Sequence, residues 1–184
     1  LRGLHGVFHR HLALQSQVLG SDLRFSLDVL LAELAQLTQQ SQSVTVHIRE
    51  MGREAQCHER VERLCSHPGV GELTAMIFLS EVRRPERFEN KSQLACYLGL
   101  APQVRQSGET WRGGPTLKAG QGTLRSKLIE ASWIWIRQDE QACATFGRLC
   151  RNTGSAKKAI VGMARRMAIN LWMMAVSGES YRFA

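Results

Sequence analysis

Ser107 is followed at once by Gly108 in the stretch VRQSGETWRGGPTLKAG (104–120), which is rich in glycine and in positive charge. Between Gln103 and Lys127 the basic residues are Arg105, Arg112, Lys118, Arg125 and Lys127, against the single acid Glu109. A serine hydroxyl is a weak nucleophile unless one group takes its proton and another stabilises the charge that develops. Acyl transfer calls for a histidine base with a carboxylate behind it. No histidine follows His67, and no G-x-S-x-G elbow is present. Attack on a phosphodiester has other needs: charge builds on phosphoryl oxygens, and guanidinium groups meet it with paired hydrogen bonds. The chemistry this serine suits is therefore phosphoryl transfer on a nucleic acid. The competing reading is a plain turn, the usual meaning of Ser-Gly in a loop.

A second candidate is residues 64–79, LCSHPGVGELTAMIFL. An apolar helix end, a Pro-Gly-Val-Gly turn and a fresh apolar helix predict a helix–hairpin–helix. Gly69 and Gly71 would let the backbone approach a phosphate, and the second helix would offer its unpaired N–H groups. Such a contact positions nucleic acid without reading its sequence. The alternative is a tight interhelical turn with no ligand. His5, His9 and His11 crowd the start, but no other ligand cluster lies near them in sequence, and no metal site is assigned. The five cysteines are scattered without a CxxC pair, as expected of reduced thiols in a cytosolic protein.

These residues need elements to hold them. From Leu23 apolar residues step by four and three through Leu27, Leu30, Leu34 and Leu37. The register continues through Ser41, Val44, Ile48, Met51 and Ala55, a coiled-coil seam with one polar step. Gly52 is a soft spot in it. Pro85 interrupts the charged connector EVRRPERF, Asn90 caps a short helix ended by Gly99, and short strands are possible only within 103–118. Thr123 is expected to cap a helix over 124–141 whose Trp133, Trp135 and Ile136 belong to the core. A short helix near 145–150 follows. Ser155 then caps a last helix with Ile160, Ala164, Met167, Leu171 and Met174 on one face and Lys158, Arg165 and Arg166 on its flank. The expected fold class is mainly α: a coiled-coil arm over 1–63, then a compact helical domain over 64–184 containing the helix–hairpin–helix and a serine loop at 103–122.

The 184 residues suit one moderate domain with a long helical arm. Lys and Arg exceed Asp and Glu by 24 to 16, a net +8, which favours a polyanionic partner. No apolar run approaches the roughly 18 residues of a membrane span, and no leader is evident. The chain opens on Leu1, and it is expected to be a piece of a longer one.

The segments HPGVGELTAMIFLSEV, RFENKSQLACYLGLAP, QSGETWRGGPTLKAGQGTLRSKLIEA and AKKAIVGMARRMA, in that order, resemble the C-terminal half of the DEDD-type insertion-sequence transposases of the IS110 group, relatives of pilin-type DNA invertases. The likeness runs from about Val61 to Tyr181. It implies a serine recombinase in which Ser107 attacks a DNA strand and conserves bond energy as a phosphoserine link. It also implies a dimerising coiled-coil arm, a structured guide RNA and an N-terminal RuvC-like domain whose acidic residues bind Mg²⁺. That acidic constellation is not in this sequence, so this piece alone is expected not to recombine DNA. Arg105, Arg112, Lys118 and Arg125 are assigned from charge and position as phosphate contacts, beside Gly69 and Gly71. The expected partners are DNA, guide RNA and a second copy through residues 23–55, with no membrane, in the bacterial cytoplasm at the nucleoid. The turn KAGQGTLR lacks the family's Asn-containing basic pattern, and Trp111 is an unusual loop residue that could stack on a base. Two readings from other classes stand beside this one. One is a non-catalytic nucleic-acid-binding and dimerisation module, and the other is a helical interaction domain whose charge is incidental.

Overall fold

A computed structural model describes residues 20–107, 110–116, 120 and 122–182. His5, His9, His11 and Lys118 therefore lie outside the described residues. The chain divides into two units between His47 and Ile48.

Helix α1 (Ser21–Arg53) takes up the heptad pattern. Leu23, Leu30, Leu37 and Val44 are all exposed along it. The seam expected to run on through Ala55 breaks at Glu54, whose extended ψ of 144° starts a new helix, α2 (Ala55–Cys65). Gly52, read as a soft spot, is buried where a Cβ would sit 3.3 Å from the Met76 side chain.

The second unit is a helical core built around α7 (Ala156–Ser177), which packs against α2, α4 (Lys91–Tyr97), α5 (Gly122–Gln138), α6 (Glu140–Thr153) and a single 3₁₀ turn at Pro85–Arg87. The apolar face expected of the last helix is the one observed: Ile160, Ala164, Met167, Leu171 and Met174 are all buried. Helix α3 (Glu72–Val82) packs on α2 and α5 with Ala75, Phe78 and Val82 inward. Among the described residues α7 is long and apolar enough to cross a membrane by length and composition, although Arg165 and Arg166 interrupt its apolar run. Its alternation of Ala and Gly with Met, Leu and Ile raises its hydropathy, and much of that surface is covered by the neighbouring helices.

The Asn90 carboxamide accepts from the Ser92 and Gln93 N–H groups, as the sequence predicts, and α4 gives way to Gly99 at φ +65°. The helices after it differ from expectation. The one expected over 124–141 stops at Gln138, because Asp139 takes an extended conformation and caps α6, its carboxylate accepting from the Ala142 N–H at 2.8 Å. That cap also makes α6 far longer than the short helix expected near 145–150. Ser155 holds the N-cap position of α7 without a side-chain cap bond. Trp135 is buried, whereas Trp133, expected in the core, is 42% exposed with its ring against the edge of Phe146.

Candidate nucleic-acid interface and nucleophile

Residues Pro102–Ser107 (β1) and Thr110–Thr116 (β2) form a two-stranded antiparallel ribbon. β-branched and aromatic residues at Val104, Thr110, Trp111 and Thr116 suit strands, and Pro102 sits at the first position of β1, where no ladder donor is lost. Ser107 pairs with Thr110, Gln106 with Trp111, Arg105 with Arg112 and Val104 with Gly113. Cross-strand partners share a face, and alternate residues along a strand share a face. The register thus puts positions 105, 107, 110 and 112 on one side of the ribbon, and positions 104, 106, 111 and 113 on the other. A register shift between Pro102 and Val104 follows, where β2 carries one residue more than β1, and such a bulge bends and twists its strand.

Arg105 and Arg112 are register partners across the ribbon, so the two basic positions lie directly opposite one another. Ser107 lies two residues along from Arg105 on the same face. Arg125 stands apart from this set, half-buried in the first turn of α5. Beyond the ribbon, Gly120, at φ +85°, lies so close to the Tyr97 carbonyl oxygen at the end of α4 that a Cβ there would collide with it.

Residues 64–79 form the end of α2, a turn over 66–71 and most of α3. The two glycines of the turn differ. Gly69, at φ +84°, lies against the Ala131 carbonyl of α5, so its missing side chain is explained by packing within the protein. Gly71 caps α3 in an extended conformation, is exposed, and has open space where a Cβ would be. Beside that helix start the Glu72 carboxylate lies 3.8 Å from Arg49 and 3.5 Å from Arg53, so its negative charge is offset where an anion would arrive.

A buried cluster that the sequence did not reveal fixes the other side of this turn. The His67 imidazole is 1% exposed, its Nδ1 lies 3.0 Å from the Pro68 carbonyl oxygen and its Nε2 3.3 Å from the Asn170 Nδ2. These contacts fit a neutral ring that donates from Nδ1 and accepts at Nε2. Burial pushes its pKa down to about 4. Trp135 and Tyr181 pack on the ring at 4.7 and 4.3 Å between centroids. The Tyr181 hydroxyl donates to Asp139 at 2.6 Å and accepts from the Trp135 indole N–H at 3.0 Å. Burial and the Asp139 carboxylate raise the Tyr181 pKa to about 12. Burial opposes ionisation of Asp139, but the donors from Tyr181 and Ala142 outweigh it and hold the carboxyl below its usual range. The partners lie far apart in sequence, and no local pattern signals them.

Among the described residues no group of three or more His, Cys, Asp or Glu could hold a metal ion. The described residues therefore do not fit a Mg²⁺ site.

Residues 61–147 match the Transposase IS116/IS110/IS902 family. Over these residues the chain is similar to a segment of the IS110-family transposases. A putative transposase of Sinorhizobium fredii, y4rJ, is 33% identical over 60% of this chain and 29% of its own length. The insertion element IS110 uncharacterized 43.6 kDa protein of Streptomyces coelicolor is 26% identical over 85% of this chain and 39% of its own. The transposase for insertion sequence element IS1111A of Coxiella burnetii is 26% identical over 93% of this chain and 48% of its own. The chain thus spans less than half the length of these relatives.

Proposed function

We propose that this chain is the dimerising and nucleophile-bearing part of a DNA transposase, and that Ser107 attacks the DNA backbone. The observation that carries the proposal is the ribbon register, which sets Ser107 on the same face as the opposed Arg105 and Arg112. Attack by Oγ forms a Ser–O–P bond and breaks one P–O bond of the strand. The leaving oxygen takes up the proton that the Ser107 hydroxyl gives up, and a hydroxyl on a second strand later displaces the serine and returns a proton to it. The number of phosphate ester bonds is unchanged, so strands are exchanged without an outside energy source. Arg105 and Arg112 hold the phosphoryl oxygens, and Lys118 and Arg125 add positive charge along the strand. Gly71 and the start of α3 hold a backbone phosphate elsewhere on the DNA. In the role of phosphate contact Gly69 is the weaker of the two glycines, since its open side faces α5.

The exposed leucines of α1 support self-association through its heptad seam. A structured guide RNA, a RuvC-like Mg²⁺ domain and a place at the bacterial nucleoid complete the reading, and rest on likeness to the family. The test joins this chain to an N-terminal RuvC-like domain and supplies Mg²⁺, guide RNA and labelled target DNA. A protein–DNA adduct on a denaturing gel, lost in Ser107→Ala with binding intact, is the expected result. An adduct that persists in Ser107→Ala overturns the assignment. Tight salt-sensitive binding with no adduct in either protein favours a pure binding module.

A further inference from the structure

A cleft of about 950 Å³ lies between the start of α4, α6, α7 and the C-terminal residues 177–182. Lys91, Arg165, Arg166 and Arg182 line it, with Asp139 and Glu179 as the acids. The acids are already engaged. Asp139 accepts from Tyr181 and the Ala142 N–H, and Glu179 pairs with Arg182 at 3.3 Å. Lys91, Arg165 and Arg166 have no carboxylate partner among the described residues. Three uncompensated cations around one concavity favour a polyanion.

The floor is different in kind. Ile169 and Met173 line the same cleft, and Met173 is 47% exposed. A duplex keeps its bases stacked inside and has no use for an apolar floor beneath its phosphates. An unstacked base has such a use. Helix α4 starts at the cleft with Lys91 and ends at Tyr97, whose carbonyl oxygen lies against Gly120. Seven helical residues span about 10 Å, the length of α4 from its cleft end to the end beside Gly120.

We propose that this cleft seats a single strand of DNA, its phosphates on Lys91, Arg165 and Arg166 and an unstacked base against Ile169 and Met173. The choice of DNA rests on the reading of the Ser107 ribbon as the place of DNA chemistry. The cleft holds the strand that opening of the target displaces and delivers it along α4.

The test measures equilibrium binding of the full 184-residue chain to labelled single-stranded DNA, single-stranded RNA and duplex DNA across a salt series. The triple variant Lys91→Gln/Arg165→Gln/Arg166→Gln is expected to bind single-stranded DNA at least tenfold more weakly. Its salt slope should fall by about 2, since each phosphate contact on a single strand contributes about 0.7. Met173→Ser should weaken single-strand binding and leave the salt slope alone. Ser107→Ala should bind as the parent does, which separates this proposal from the nucleophile assignment: the cleft result stands or falls without any adduct. Unchanged affinity in the triple variant at an unchanged melting temperature overturns the proposal. So does an equal loss on duplex DNA, or a loss confined to RNA.

Discussion

Helices α1 and α7 carry the same apolar spacing and meet opposite fates. Leu23, Leu27, Leu30, Leu34 and Leu37 step by four and three, and so do Ile160, Ala164, Met167, Leu171 and Met174. In α7 every member of the stripe is buried by the chain's own helices, while in α1 Leu30 and Leu37 are each 62% exposed. A 4-3 repeat says that a helix has an apolar face, and says nothing about what covers it. The flanks carry the difference. The α7 stripe is studded with Ala159, Gly162, Ala164 and Ala168, which let neighbouring helices approach, whereas α1 has leucines set among Gln and Ser.

Matched truncations put the comparison to the test. Leu171→Ala should lower the unfolding free energy by about 2–5 kcal/mol, the usual cost of removing a buried leucine, measured by urea denaturation. A loss below about 1 kcal/mol would mean that the α7 stripe is not core. The next largest effect is one of pH. His67 is neutral in the fold with its pKa lowered to about 4, while an unfolded histidine titrates near 6.5. The unfolded chain therefore binds the extra proton first. Stability is fully present above about pH 6.5 and falls by roughly 3 kcal/mol as pH drops to 4. Denaturation of His67→Gln should show that slope missing from the same pH window. Asp139→Ala, which uncaps α6 and strips Tyr181 of its acceptor, should cost about 1–2 kcal/mol in thermal unfolding. Last, Leu30→Ala in α1 should change the stability of dilute protein by less than about 0.5 kcal/mol. It should nevertheless shift self-association to higher concentration in sedimentation velocity. Equal stability losses at Leu30 and Leu171 would erase the distinction between the two helices.

What the sequence disclosed follows the reach of each interaction. The α7 face, the Asn90 cap, the strands within 103–118 and the break between two helices at 66–71 are set by residues a few positions apart, and all were legible. The end of α5 was not, because DEQ continues a helical pattern and only the Asp139 carboxylate turning to the Ala142 N–H shows the break. Trp133 read as core because its neighbours are apolar, yet of the two α5 tryptophans only Trp135 is buried. Gly69 read as a phosphate glycine, but the carbonyl it makes room for belongs to Ala131, 62 residues away along the chain. His67 meets Asn170 across 103 positions, beyond any local signal. Of the candidate site, Ser107, Arg105 and Arg112 were named from sequence, but that their positions share one face of a ribbon came only from the strand register.

That register also raises a rival, since Thr110 sits opposite Ser107 on the same face and carries a hydroxyl of its own. Trypsin cuts after Arg105 and Arg112, which leaves QSGETWR with Ser107 and Thr110 as its hydroxyl nucleophiles. The most direct measurement is therefore to trap the protein–DNA adduct, digest it with nuclease and trypsin, and locate the residual nucleotide by tandem mass spectrometry. The account predicts the nucleotide on Ser107. A nucleotide on Thr110, or on a peptide outside residues 106–112, would contradict it.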